Sequence, residues 1–183
     1  MQAAVDSIRV ELQDFDEIVR LHWRRIYRFV LASVRDADAA QALTQDCFLR
    51  AYSRRGAFRG QASVKTWLMK IAINLVRDLG RNRRLQFWKR LNVSGVDAGD
   101  ISDQLPDAAI SPEDQASLNE QVKIIWQASQ SLPERQRTVF LLRFVEDMDL
   151  LEIAVATGMK EGTVKTHLFR ALHAIRERLG RSR

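Results

Sequence analysis

The chain has 183 residues, 46% of them hydrophobic and 28% charged, enough to bury one moderate core or two small ones and too apolar for wholesale disorder. A net charge of +6 points to a polyanionic partner, either nucleic acid or an anionic surface. No apolar run reaches membrane-spanning length, the opening MQAAVDSIRVELQDFDE has neither a basic start nor a hydrophobic stretch, and the single Cys47 can form no internal disulfide; together these exclude membrane insertion and lead to the expectation of a cytoplasmic protein.

After a weakly patterned start, the period becomes helical at Phe15. Phe15, Ile18, Val19, His22, Trp23, Ile26, Tyr27, Val30 and Val34 form an apolar stripe, with Arg20, Arg24, Arg25 and Arg28 on the other side. Asp36 or Asp38 is placed to cap a second helix whose inward set is Ala39, Leu43, Cys47, Phe48, Ala51 and Tyr52, failing near Gly56. A loop from Ala57 to Ala62 follows, and Ser63 is placed to cap a third helix. Its core face is Val64, Trp67, Leu68, Ile71, Leu75, Val76 and Leu79, until Gly80 loosens it. Off that face, Lys70, Asn74, Arg77 and Arg81 recur at three- and four-residue steps, with Asp78 beside them, and run into the basic RNRR cluster. Asparagine can pair with a base edge and arginine with phosphate, so this ridge reads as a DNA-contacting face.

Between Leu91 and Glu120 there is no Lys or Arg, only acids, and little period up to Ile110. Residues 91–110 are therefore expected to be an acidic flexible linker. Ser111, Pro112, Glu113 and Asp114 make a strong helix start, for a helix carrying Leu118, Val122, Ile125 and Trp126. Pro133 restarts the chain, and Val139, Phe140, Leu142 and Phe144 lead to the turn Glu146-Asp147. From Asp149 to Leu179 the pattern is a helix-turn-helix: Leu150, Ile153 and Ala154 on a short helix, Gly158 to end it, Met159 as the turn's apolar plug, then Val164, Leu168, Ala171, Leu172, Ile175 and Leu179 on one face of a longer helix. The opposite face holds Thr163, Thr166, Arg170 and His173, with Lys165 at its edge, and is free to meet DNA. The expectation is an all-α protein of two small helical domains joined by a flexible linker, with boundaries at 1–90, 91–110 and 111–183.

These segments, in this order, resemble the group IV, or extracytoplasmic-function, sigma factors of bacterial RNA polymerase. LTQDCFLRAY (Leu43 to Tyr52) resembles the family's core-binding helix. FRGQASVKTWLMKIAINLVRDLGRNRR (Phe58 to Arg84) resembles its promoter-melting loop and minus-ten helix, and the stretch from Leu132 to Leu179 resembles its minus-thirty-five module. The chain departs from the pattern at Ala40, Gln41 and Ala42, where acids are common. The resemblance implies that Leu43, Gln45, Asp46 and Phe48 meet a coiled coil of the largest polymerase subunit. It also implies that the loop Phe58, Arg59, Gly60, Gln61 and Ser63 holds an extruded non-template base, that promoter DNA is the ligand and that an anti-sigma factor is a partner. Melting needs a rigid pocket rather than a reactive group. In the second module the first turns of the longer helix should enter the major groove, which nominates Lys160, Glu161, Thr163, Lys165, Thr166, His167 and Arg170. His167 and His173 lack carboxylate or cysteine partners at ligand spacing, and no nucleophile-base pair, Gly-rich phosphate loop or metal cluster occurs, so no enzyme, cofactor or metal is expected. An operator-binding helix-turn-helix regulator and a protein-only helical adaptor are the competing readings; the first leaves the Phe58 to Arg84 resemblance unexplained.

Overall fold

The computed structural model describes residues 15–91 and 125–181, with side chains as far as residue 82 in the first stretch. The N-terminal extension, the acidic linker, the Ser111-Pro112 cap and Leu118 and Val122 lie outside them. All described elements are helical. The first half is α1 (Phe15–Val34), α2 (Ala37–Arg54), a 3-10 turn (Arg55–Ala57) and α3 (Val64–Leu91). The second is the helical stretch 125–130, α4 (Glu134–Phe144), α5 (Leu150–Thr157) and α6 (Glu161–Arg181).

The helices begin where their capping chemistry places them. Asp36 caps α2 by accepting from Ala39 N at 2.9 Å, and Ser63 Oγ accepts from Thr66 N at 3.1 Å to start α3. Asp149 and Glu152 form a reciprocal capping box on α5, the Glu152 amide donating to Asp149 Oδ1 at 2.7 Å and the Asp149 amide to Glu152 Oε2 at 3.0 Å. Gly158 ends α5 in the left-handed region at φ 72, a conformation that costs an L side chain about 1 kcal/mol or more.

Gly80 does not end α3, which continues to Leu91. One helical glycine costs only about 1 kcal/mol against alanine, and the following run of arginines, leucine and glutamine favours the helix. The inward set of α2 is also shifted: Ala40 and Thr44 are buried with Cys47, Phe48 and Ala51, while Tyr52 is 48% exposed. Thr44 reaches the core because its hydroxyl donates to Ala40 O at 2.7 Å and so carries no unsatisfied donor inward. In α3, Met69, Ala72 and Ile73 are buried with Leu68, Ile71 and Leu75 of the expected stripe, whose Val64, Trp67, Val76 and Leu79 are half-buried. That wider burial fits a helix flanked on several sides, since α3 packs on α1, α2 and α5.

The last of these contacts joins the halves, which the sequence placed on opposite ends of a tether. Arg28 Nε donates to Glu146 Oε1 at 3.0 Å and Arg28 Nη2 to Val145 O at 2.7 Å. Arg25 lies 3.7 Å from Glu146 Oε2, Lys65 Nζ lies 2.9 Å from Glu152 Oε1, and Arg35 Nη2 donates to Gln130 O at 3.0 Å. Arg25 and Arg28 of α1 are thus drawn into this contact while Arg20 and Arg24 stay exposed, and apolar packing continues from α3 into α5.

Candidate nucleic-acid interface

In the first half, the loop after α2 and the opening turns of α3 border an open cleft of about 390 Å³, within the usual size of a small-ligand pocket. Phe58, Arg59 and Gln61 line it from the loop, with Thr66, Trp67 and Lys70 from α3 and Val155 from α5. Phe58 and Trp67 lean on one another with ring centroids 4.7 Å apart at 38°, which makes an aromatic wall with cationic groups at its rim. Gly60 holds the loop at φ 67, a turn that glycine allows without strain. Ser63 is exposed, its hydroxyl accepting from the Thr66 amide to cap α3 and lying 2.8 Å from Thr66 Oγ1.

Lys70, Asn74 and Arg77 are exposed along α3 and lead away from this pocket, so the polar ridge exists as a surface. Arg81 is exposed as well and pairs with Asp78 at 3.0 Å. Arg83 and Arg84 lie outside the described side chains.

In the second half, Lys160, Glu161, Thr163, Lys165, Thr166 and Arg170 are all exposed on the first turns of α6 or just before it. Lys165 pairs with Glu161 at 2.7 Å, and Thr166 Oγ1 donates to Gly162 O at 2.9 Å. His167 departs from the expected surface histidine. It is half-buried with Nδ1 enclosed and unpartnered, and its pKa is lowered by burial first, then by the Arg135 and Arg170 guanidinium groups. A neutral, inward-leaning ring is a poor phosphate ligand. Phe169 was missed by periodicity: it lies off the apolar stripe, is 71% exposed and stacks with His173 at 6.4 Å. A large aromatic out of phase with the helix core was the signal that could have found it.

Of the expected polymerase contacts, Gln45 is exposed and Leu43 half-buried. Asp46 pairs with Arg50 at 2.9 Å. Phe48 belongs to the core: it is 4% exposed, stacks on Trp23 at 5.6 Å and meets Phe15 edge-on at 6.5 Å, so it is no surface contact. The exposed apolar groups of α2 are Leu49 and Tyr52. Cys47 is buried at its back, its thiol pushed up to about 12, chiefly by burial and then by Asp46. Among the described residues, no group of three or more His, Cys, Asp or Glu could hold a metal ion, and no helix is long and apolar enough to cross a membrane.

The described residues thus carry an aromatic pocket and an exposed polar ridge at α3 and a helix-turn-helix in the second half. Comparison with known proteins makes the class specific. Residues 18–86 match Sigma-70 region 2, and residues 123–175 match Sigma-70, region 4. The chain is 34% identical over 172 residues to the RNA polymerase sigma-H factor of Pseudomonas aeruginosa, covering 91% of this chain and 86% of that protein. Against the ECF RNA polymerase sigma factor SigW of Bacillus subtilis it is 29% identical over 165 residues, covering 90% and 88%. Its fold matches that of the sigma factor RpoE of Bartonella quintana, solved with the anti-sigma factor NepR, at a TM-score of 0.71 and 20% identity, covering 93% of this chain and 99% of that one. The chain belongs to the sigma-70 family, as an RNA polymerase sigma factor of the extracytoplasmic-function type that acts in transcription initiation.

Proposed function

We propose that the first half, residues 1–90, binds core polymerase and opens the minus-ten element, that residues 111–183 read the minus-thirty-five element, and that residues 91–110 tether the two. The observation that carries this is the aromatic pocket beside Lys70, Asn74 and Arg77: a flipped base would stack against Phe58 and Trp67 and meet Arg59 and Gln61, while the ridge follows the strand. On α6, Thr163, Thr166 and Phe169 face the bases, Phe169 as an apolar surface for a thymine methyl, and Lys160, Lys165 and Arg170 face phosphates. Glu161 restrains Lys165 through their ion pair. On α2, Leu43, Gln45, Leu49 and Tyr52 form the polymerase contact, a reading supported by the exposure of Leu49 and Tyr52. The protein carries no catalysis of its own and works in the cytoplasm. An anti-sigma factor is its regulator, as NepR accompanies RpoE.

The test adds purified protein to core polymerase and genomic promoter fragments. Specific transcripts should require both. An operator-binding regulator would yield none without another sigma factor, and that result would sink the proposal.

A further inference from the structure

The cleft beside α3 has a chemistry that does not depend on a DNA strand. One wall is the Phe58–Trp67 pair, and Arg59, Gln61 and Lys70 line it as well. No carboxylate lines it. Among the described residues neither Arg59 nor Lys70 has an ion pair. Glu152, which the Thr66 hydroxyl meets at 3.5 Å, is already held by Lys65 at 2.9 Å and by the Asp149 amide at 3.0 Å, so its charge is spent outside the lining. An aromatic face beside two uncompensated cations is complementary to a ligand that is flat at one end and anionic at the other.

We propose that this cleft is also a site for a free nucleoside 5′-monophosphate, its base against Phe58 and Trp67 and its phosphate at Arg59 and Lys70, and that the free nucleotide competes there with the promoter base. The competition rests on the base capture proposed above and adds a soluble ligand to it. All the lining groups belong to this chain, so the contacts offered to an extruded base are offered equally to a free one. The two ligands differ in what opposes binding. A promoter base must first be unpaired and unstacked, whereas a free nucleotide loses translational and rotational freedom that the tethered base has already lost. Tethering through a short flexible strand corresponds to an effective concentration on the order of 1 mM. Free nucleotide therefore competes on the same scale, and the unpairing cost favours it further.

The experiment titrates the full chain with the four deoxynucleoside 5′-monophosphates, following tryptophan fluorescence and binding heat, with the matching nucleosides and 2-deoxyribose 5-phosphate as partial ligands. At least one nucleotide should saturate with a Kd on the order of 1 mM. Removing its base, or its phosphate, should weaken binding about tenfold. Phe58→Ala and Lys70→Ala should each weaken it by roughly fivefold to tenfold, the second at an exposed position that keeps the test if the first loses its helical circular dichroism. Trp67 is one of four tryptophans, so Trp67→Phe should keep the binding heat and lose most of the fluorescence change, which places the ligand on this wall. The non-template strand of a promoter fragment that the protein opens with core polymerase should displace the nucleotide. Absence of saturation by about 10 mM for all four nucleotides overturns the inference. So does equal binding of 2-deoxyribose 5-phosphate, which marks an anion site without base recognition, and so does a nucleotide that the strand fails to displace. Each of those results leaves the proposed function in place. That function falls separately if a folded Phe58→Ala opens the promoter as well as the natural chain does.

Discussion

At Gly158 the whole case for glycine is its backbone. A Cβ there would meet nothing within 4 Å, yet φ is 72, so Gly158→Ala isolates the strain of a left-handed alanine. It should cost about 1 kcal/mol and lower the thermal midpoint by about 2–4 °C, while Gly158→Asn should recover most of the loss. An unchanged midpoint for the alanine variant would mean that the turn between α5 and α6 relaxes at no cost. Glu146 makes the opposite kind of prediction, because its value lies in its charge. Its native pKa is raised by burial, which outweighs Arg28, Arg25 and Lys65, so between the ordinary carboxylate range and that raised value the folded chain binds more protons than the unfolded one. The stability it contributes is fully present below the unfolded pKa and is lost as pH rises through the folded one. Urea midpoints of the natural chain relative to Glu146→Gln should therefore fall as pH rises from about 4.5 toward neutrality; a pH-independent difference would refute the assignment.

The helix α3 carries two loads at once. Its inward side, with Leu68, Ile71 and Leu75, is buried against α1 and α2, while Lys70, Asn74 and Arg77 remain exposed. Since a base or phosphate contact is worth about 1–3 kcal/mol, Asn74→Ala and Arg77→Ala should each reduce open-complex formation, read by permanganate reactivity, by roughly tenfold with core binding unchanged. Equal promoter opening in both variants would remove the ridge from the mechanism. The neighbouring element teaches the limit of reading a helix by period alone. Phe48 and Leu49 are adjacent apolar residues on α2; one stacks on Trp23 in the core and the other is 66% exposed. Periodicity identifies a stripe, but a hydrophobic residue at its margin can complete the core or form an interface. Only the packing of Phe15 and Trp23 on Phe48 decides.

Across the whole molecule, what could be read from the residues is what depends on near neighbours in the chain. Caps at Asp36 and Ser63, the left-handed Gly158, and the apolar stripes of α1, α3 and α6 all act within a few residues, so the order of helices and the helix-turn-helix were determined by sequence alone. The polar ridge of α3 was legible too, as a stripe off the core face, though Arg25 and Arg28 of α1, which pair with buried Glu146, show that its exposure was not. The tertiary structure decided everything that joins distant segments: Arg28 finding Glu146 across 118 positions, Val155 completing a pocket built by the loop after α2, and His167 leaning inward toward Arg135. Helical period says which side of a helix a charge occupies but carries no record of the surface it will face. An arginine paired with a buried glutamate and an arginine in water therefore look the same until the chain is folded.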